Sequence, residues 1–272
     1  MSNIKMIVSD LDDTFLNDNS KVPEKNRAAL EIMREKNVRF VLASGRSHIS
    51  LDPFVKSLGL KREGEYGIAI QGGIIYKTLD LSFVDTAMLP RDLMLKITGN
   101  VLEHPASEKI DILVYDPQSV LHSCKDSAGF KEYFTFTKIP HKLINTFDDF
   151  ETDALKILLK GKNEDLKQIE AHMKQYLDDS YNMFYSKDIY LEFTQKNATK
   201  GKAAKRLAKI LGFGIDEVVA VGDNFNDVSM VDMAGVGVAV SNGIDFLKDR
   251  ADYVTTTTNN DGVLWELVNK FL

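Results

Sequence analysis

Met6-Ile7-Val8-Ser9-Asp10-Leu11-Asp12-Asp13-Thr14 is the stretch on which the fold turns: a short apolar run that ends abruptly in carboxylates. Its lack of polar/apolar alternation predicts a strand buried on both faces, whose C-terminal end opens into a polar loop. The same form recurs along the chain. Residues 38–43 run into Ser44-Gly45-Arg46, and residues 218–221 run into Gly222-Asp223. Residues 236–240 form another such run, while Ile68-Ala69-Ile70 is broken by Gly72-Gly73 and resumed by Ile74-Ile75-Tyr76. Helical patterns lie between them. Pro23 opens one with Ala28, Ala29, Ile32 and Met33 inward, and another carries Phe54, Val55 and Leu58 before Gly59. Residues 200–211 turn Ala203, Leu207, Ile210 and Leu211 inward and close at Gly212. A helix over 227–234 stops at Gly235, and a last one carries Val263, Leu264, Leu267, Val268 and Phe271. Alternating strand and helix implies an α/β fold, a doubly wound and mostly parallel sheet covered on both faces.

The pattern changes near Val84. From there to about Asp188 a helix (90–103), strands near 110–115, 120–122 and 154–159, a helix (165–177) and two adjacent strands near 183–186 and 190–193 suggest an α+β module with an antiparallel sheet. The expected organisation is a core built from residues 1–83 and 190–272, interrupted by an inserted domain over 84–189.

At 272 residues the chain is long enough for one large domain or two modest ones. Its 34 basic and 40 acidic residues leave a formal charge of −6, which gives no bulk attraction to nucleic acid or anionic lipid. The single cysteine, Cys124, excludes an intramolecular disulfide and a cysteine-based zinc site. The apolar run at the N-terminus is too short for a signal peptide or a span, so the cytoplasm is the expected compartment.

Ligands of open α/β sheets bind at the carboxyl ends of the strands, and four polar clusters fall at such positions. Asp10 and Asp12, two apart in a near-extended segment, can project to one side, where a hard cation such as Mg²⁺ would relieve their repulsion. The plainer reading is a turn. Ser44-Gly45-Arg46 offers a hydroxyl and an unobstructed N–H to a phosphate, or an ordinary helix cap at Ser44 or Ser47. Lys200 at a helix start is disfavoured by the helix dipole unless an anion sits there, although most single lysines are simply solvated. Gly222-Asp223-Asn224-Phe225-Asn226-Asp227 packs two carboxylates and two amides into one loop. Asp227 could cap the next helix, whereas Asp223 ends an apolar strand and should face Asp10 across neighbouring strand ends.

In this order the four clusters resemble the motifs of the haloacid dehalogenase superfamily, most closely its Cof-type phosphatases. Asn242, Lys248, Ala251-Asp252 and Asp261-Gly262 are further family features, so the resemblance runs from Ile7 to the last helix. The insertion resembles the family's C2B cap, which implies closure over the site and contacts to the leaving group. The resemblance implies that Asp10 is the nucleophile and Asp12 the general acid/base. It places Mg²⁺ on Asp10, on the backbone carbonyl of Asp12 and on Asp223. It implies that Ser44, Gly45, Asn226 and the backbone of Leu11 bind phosphate, that Lys200 neutralises nucleophile and phosphate, and that Asp227 supports them from behind. Asp13 stands where the family often has glycine, Gly243 where alanine is common, and Gln71-Gly72-Gly73 where an Asn-Gly-Ala-like run is common. The last two put fine substrate contacts in question.

The implied activity is hydrolysis of small phosphorylated metabolites, sugar phosphates in particular, by a monomer or weak homodimer with no nucleic-acid or membrane partner. A phosphosugar mutase or other phosphotransferase is the alternative within the superfamily. A non-catalytic sensor of a phosphorylated metabolite is the alternative outside catalysis, and the presence of both Asp12 and Lys200 counts against it.

Overall fold

The computed structural model describes residues 3–272, in two compact units: the chain up to Thr86 together with Thr199–Leu272, and Ala87–Ala198.

In the first unit the buried apolar runs form one eight-stranded sheet. Its order is Tyr253–Val254, Val236–Ala239, Val218–Gly222, Met6–Ser9, Arg39–Ala43, Tyr66–Ala69, Ile74–Lys77 and Phe83–Thr86. The first six strands are parallel. Met6–Ser9 lies between Val218–Gly222 on one side and Arg39–Ala43 on the other. From that strand the chain winds outward in one direction before the insertion and in the other after it. That is the topological switch point, where a crevice opens at the strands' carboxyl ends. The Asp10 loop, Ser44 and Asp223 leave three adjacent strands there.

Helix Lys200–Leu211 packs Ala203, Ala204, Leu207 and Ala208 onto the sheet residues Met6, Val8, Val41, Ile68 and Ala220. Its inward stripe is therefore richer in alanine than the sequence suggests, and Ile210, expected inward, is exposed. Thr199 caps the helix by accepting from Lys202 N at 3.2 Å, and Gly212 closes it in the left-handed conformation at φ +77°. Gly201 lies against Ser229 O so closely that any side chain would collide with that carbonyl. The helix expected over 227–234 is a 3₁₀ turn, Phe225–Asp227, followed by a single α-turn, Val228–Val231.

Two further expectations change. Ile74–Lys77 does not resume the Tyr66–Ala69 strand but pairs with it antiparallel, Ala69 opposite Ile74. The chain reverses because Ile70, Gln71 and Gly72 all take positive φ, at +51°, +55° and +95°. The insertion also ends later than residue 189. Tyr190–Gln195 pairs with Tyr181–Lys187 and with Lys156–Lys160, so hydrogen bonding puts it in the second unit's sheet.

That second sheet has six strands, antiparallel except for the Leu121–Ser123/His141–Leu143 pair. Helices Arg91–Glu103 and Asn163–Met173 contribute Met94, Ile97, Val101, Leu166 and Ile169 to a core shared with Ile112, Val114, Ile157 and Leu191. Helix Ala128–Thr137 holds to the sheet through Tyr133, whose hydroxyl meets that of Tyr115 at 2.6 Å. No helix among the described residues is long and apolar enough to cross a membrane.

Candidate active site

Asp10 follows the central strand, with its N–H donating to Val221 O at 3.0 Å and its side chain buried. Lys200, 0% exposed, donates one hydrogen bond to Asp10 Oδ1 and another, 2.6 Å long, to Asp227 Oδ1. Asp227 Oδ2 accepts from the N–H groups of Asp223 and Asn224 at 3.0 and 3.1 Å. Asp227 therefore caps its own turn and anchors Lys200 at once, and both its oxygens are committed. Thr14 Oγ1 donates to Asp223 Oδ1 at 2.6 Å. Nothing in the spacing marks Thr14 for that role. Among the described residues no donor reaches the Oδ2 of Asp10 or of Asp223, whose Oδ1 atoms accept from Lys200 and Thr14.

Asp10, Asp223 and Asp227 each present a carboxylate oxygen within 4.8 Å of the others. Three carboxylates against the one ammonium of Lys200 leave two surplus negative charges in a buried place. The surplus shows in the proton affinities. Burial pushes Asp223 up to about 7, with Asp227's charge adding to it and Thr14 and Lys200 pulling back. Burial also raises Asp10 well above the carboxylate range; Lys200 opposes this, while Asp227 and Asp223 reinforce it. Burial would depress the Lys200 ammonium, but Asp10 and Asp227 outweigh it and hold the group charged. An all-oxygen donor set with uncompensated negative charge and two free oxygens fits Mg²⁺.

A carboxyl whose folded pKa lies above its unfolded value stabilises the fold at low pH, and that contribution fades as pH rises through the folded pKa. For Asp223 the window runs from the ordinary carboxylate range, near 4, up to about 7. Metal-free protein is expected to melt roughly 5 °C lower at pH 8 than at pH 5.5. Added Mg²⁺ should restore most of the difference at pH 8 and little at pH 5.5. A melting temperature independent of pH and of Mg²⁺ would show that the cluster carries no such surplus.

Asp12 is turned away from this cluster. Arg46 holds its carboxylate bidentately, Nε to Oδ2 at 2.9 Å and Nη2 to Oδ1 at 2.6 Å, and the Arg46 guanidinium lies over the Phe54 ring. The Asp12 side chain is 47% exposed, so this pair contributes little to stability and can open. Of the expected metal set of Asp10, Asp12 and Asp223, the Asp12 carboxylate lies on Arg46, and the acidic cluster consists of Asp10, Asp223 and Asp227. The resemblance had assigned Asp12 only through its carbonyl.

Ser44 Oγ accepts from Arg46 N at 3.2 Å, and Ser47 rather than Ser44 caps the following helix, accepting from Ser50 N. Among the described residues neither the Ser44 hydroxyl proton nor the Gly45 N–H has an acceptor, so both can meet an anion. Leu11 is fully buried beneath the loop, and Asn226 Nδ2 donates to Gln71 Oε1 at 3.3 Å. Asn242, on the far side, donates from Nδ2 to Asp13 O and accepts from Asn259 N, both at 2.9 Å. It braces the turn that carries Asp12, where Asp13 has φ +59°.

The family model of the haloacid dehalogenase-like hydrolases matches residues 7–267. The Bacillus subtilis protein YxeH is 30% identical to this chain, with 95% of each covered. Phosphatase YwpJ of the same organism is 29% identical, over 96% of this chain and 97% of its own. The crystal structure of a haloacid dehalogenase-like hydrolase from Bacteroides thetaiotaomicron superposes with a TM-score of 0.85 at 26% identity, covering 99% of this chain and 100% of the other. The buried carboxylates at the switch point thus sit in a fold and sequence shared with known phosphatases, and the chain belongs to the haloacid dehalogenase-like hydrolases as an enzyme of their phosphatase kind.

Proposed function

We propose that this chain is a Mg²⁺-dependent phosphatase that hydrolyses small phosphorylated metabolites, sugar phosphates foremost, through an aspartyl-phosphate on Asp10. The observation that carries the reading is the state of Asp10: one oxygen tied to a fully buried lysine, the other without a donor among the described residues and beside surplus negative charge. Mg²⁺ held by Asp10, Asp223 and the Asp12 carbonyl would supply the positive charge that lets a phosphate dianion approach a carboxylate.

The chain's own groups do the rest. Lys200 orients Asp10 and lowers its proton affinity against the effect of burial, and Asp227 keeps Lys200 in place. Ser44 Oγ, the N–H groups of Leu11 and Gly45, and Asn226 Nδ2 are the donors for the phosphoryl oxygens. The Asp10 carboxylate attacks phosphorus as the bond to the ester oxygen breaks, and Asp12 gives the departing oxygen its proton. Asp12 then takes a proton from the water that attacks the aspartyl-phosphate, releasing phosphate and restoring Asp10. For this, Arg46 must loosen its two hydrogen bonds to Asp12 during the cycle.

Phosphate release from sugar phosphates and p-nitrophenyl phosphate, with Mg²⁺ and with EDTA, tests the reading. No release from any ester in folded, Mg²⁺-loaded protein would refute it. Asp12→Asn separates the two steps. Loss of a positioned acid/base is expected to slow sugar-phosphate turnover about 10²- to 10⁴-fold. Nitrophenolate leaves with little help, so the same variant should give a burst of nitrophenol near one equivalent and then stall. Wild-type steady turnover on both substrates would remove Asp12 from the chemistry.

A further inference from the structure

The reversal at Ile70-Gln71-Gly72 is costly in itself. Left-handed backbone is uncommon for any residue with a side chain, and for a β-branched isoleucine it is a true outlier. Here Ile70 and Gln71 adopt it in succession, both buried, at the carboxyl end of a strand in the same sheet. Such a conformation persists only where the surroundings over-determine it. Here Ile70 O accepts from Gly73 N and Gly72 O from Arg206 Nη2, and the turn's other contacts reach the site's motifs. Ile70 N donates to Arg46 O at 2.9 Å, and Gln71 N donates to Ser44 O at 3.0 Å. Gly72 lies flat against Thr199 O, the residue that caps the Lys200 helix, where any Cβ would collide. Gln71 Oε1 accepts from Asn226 Nδ2.

The other end of the Gln71 carboxamide is unspent. Its Nε2 has no hydrogen-bond partner among the described residues, although the side chain is only 6% exposed. It lies over the bare Cα of Gly45, 2.6 Å from where a Cβ would stand. An N–H donor with no protein acceptor, on a residue that is otherwise buried, is open to an acceptor that arrives from outside. Its neighbours, Gly45 N–H and Asn226, are donors too. Donors gathered in this way, with only one hydrogen of the Asn226 amide spent on Gln71 Oε1, suit an anion.

We infer that Gln71 is a phosphoryl-binding residue: Nε2 donates to a non-bridging oxygen of the bound phosphate, while Oε1 fixes the amide of Asn226 toward the same group. This rests on the phosphatase reading above and deepens it. The strained turn is then what aims Gln71, and the close Gly45 contact is what leaves room for it.

The test uses full-length Gln71→Leu and Gln71→Glu, read by inorganic phosphate binding in the presence of Mg²⁺ and by kcat/KM on several esters. A lost hydrogen bond to a charged group should weaken phosphate binding in Gln71→Leu by about 10- to 100-fold. The factor in kcat/KM should be similar for every ester, because the phosphoryl group is common to all. Gln71→Glu, nearly isosteric but anionic, should bind phosphate more weakly still, with Mg²⁺ affinity and melting temperature close to wild type. Phosphate affinity within twofold of wild type in Gln71→Leu would overturn the inference. So would a kcat/KM loss that differs more than about tenfold between esters, since that marks a leaving-group contact. Wild-type protein that binds phosphate but releases none from any ester would sink the phosphatase reading alone; wild-type protein that binds no phosphate would sink both.

Discussion

Asp10→Asn is expected to abolish Mg²⁺-dependent phosphate release while leaving the fold at least as stable as wild type. The activity loss should be on the order of 10⁴-fold or more, because a nucleophile that forms a covalent intermediate has no substitute in the site. The stability half of the expectation follows from the charge count. Asparagine keeps the shape of the side chain and removes one of three buried carboxylates, while Lys200 retains its hydrogen bond to Asp227. The repulsion between Asp10 and Asp223 is removed, while burial and Asp227 still hold Asp223 above the ordinary range. Metal-free Asp10→Asn should therefore match or exceed wild type in melting temperature at pH 8, with a shallower dependence on pH. A variant that unfolds, or that keeps measurable turnover in a clean preparation, would contradict this.

Lys200→Met has the opposite signature. Lys200 is fully buried between Asp10 and Asp227, and its methionine replacement leaves three carboxylates with no internal cation. Breaking a buried pair by removing one partner costs about 3–5 kcal/mol. For a chain of this length that is roughly a 10 °C loss in melting temperature. The loss should be steep above pH 7, where Asp223 is ionised, and should shrink toward pH 5, where the cluster takes up protons. Activity should vanish at all pH values, since Asp10 loses the group that orients it. Lys200→Arg keeps the charge, but its larger planar head does not fit a site with no exposed surface, so partial stability without turnover is expected. A Lys200→Met protein as stable as wild type at pH 8 would mean that the carboxylates are not held against one another as the geometry implies.

The core strands were legible because burial on both faces leaves a local mark. Met6–Ser9, Val218–Gly222 and Val236–Ala239 are apolar runs; the first ends at a carboxylate, the second at a glycine and the third just before Ser241. Strand ends predicted in this way placed Asp10, Ser44 and Asp223 together, because a parallel sheet aligns its carboxyl edges whatever the loops do. Lys200 was legible through its helix start, next to the Thr199 cap. The features that escaped depend on distant partners. Nothing in Ile70-Gln71 favours a positive φ, and contacts far off in sequence, the carbonyls of Ser44 and Arg46 among them, hold it there. Only the Gly72-Gly73 pair signalled a turn. Tyr190–Gln195 reads as a strand from either side, and its sheet is settled by pairing with Lys156–Lys160.

Helix Ala128–Thr137 is aromatic- and threonine-rich, with modest helix propensity and no clean stripe, so its sequence is ambiguous by period. The grip of Arg46 on Asp12 and that of Thr14 on Asp223 are side-chain choices made by the folded site, and no spacing rule announces them.

The most direct measurement is to quench the Asp12→Asn protein during its reaction with p-nitrophenyl phosphate and Mg²⁺, digest it, and weigh the peptide that carries Asp10. The account expects that peptide to carry one added phosphoryl group, absent when EDTA is present and absent in the Asp10→Asn protein. Nitrophenol release at full stoichiometry with the Asp10 peptide unmodified would show that the phosphoryl group never passes through Asp10.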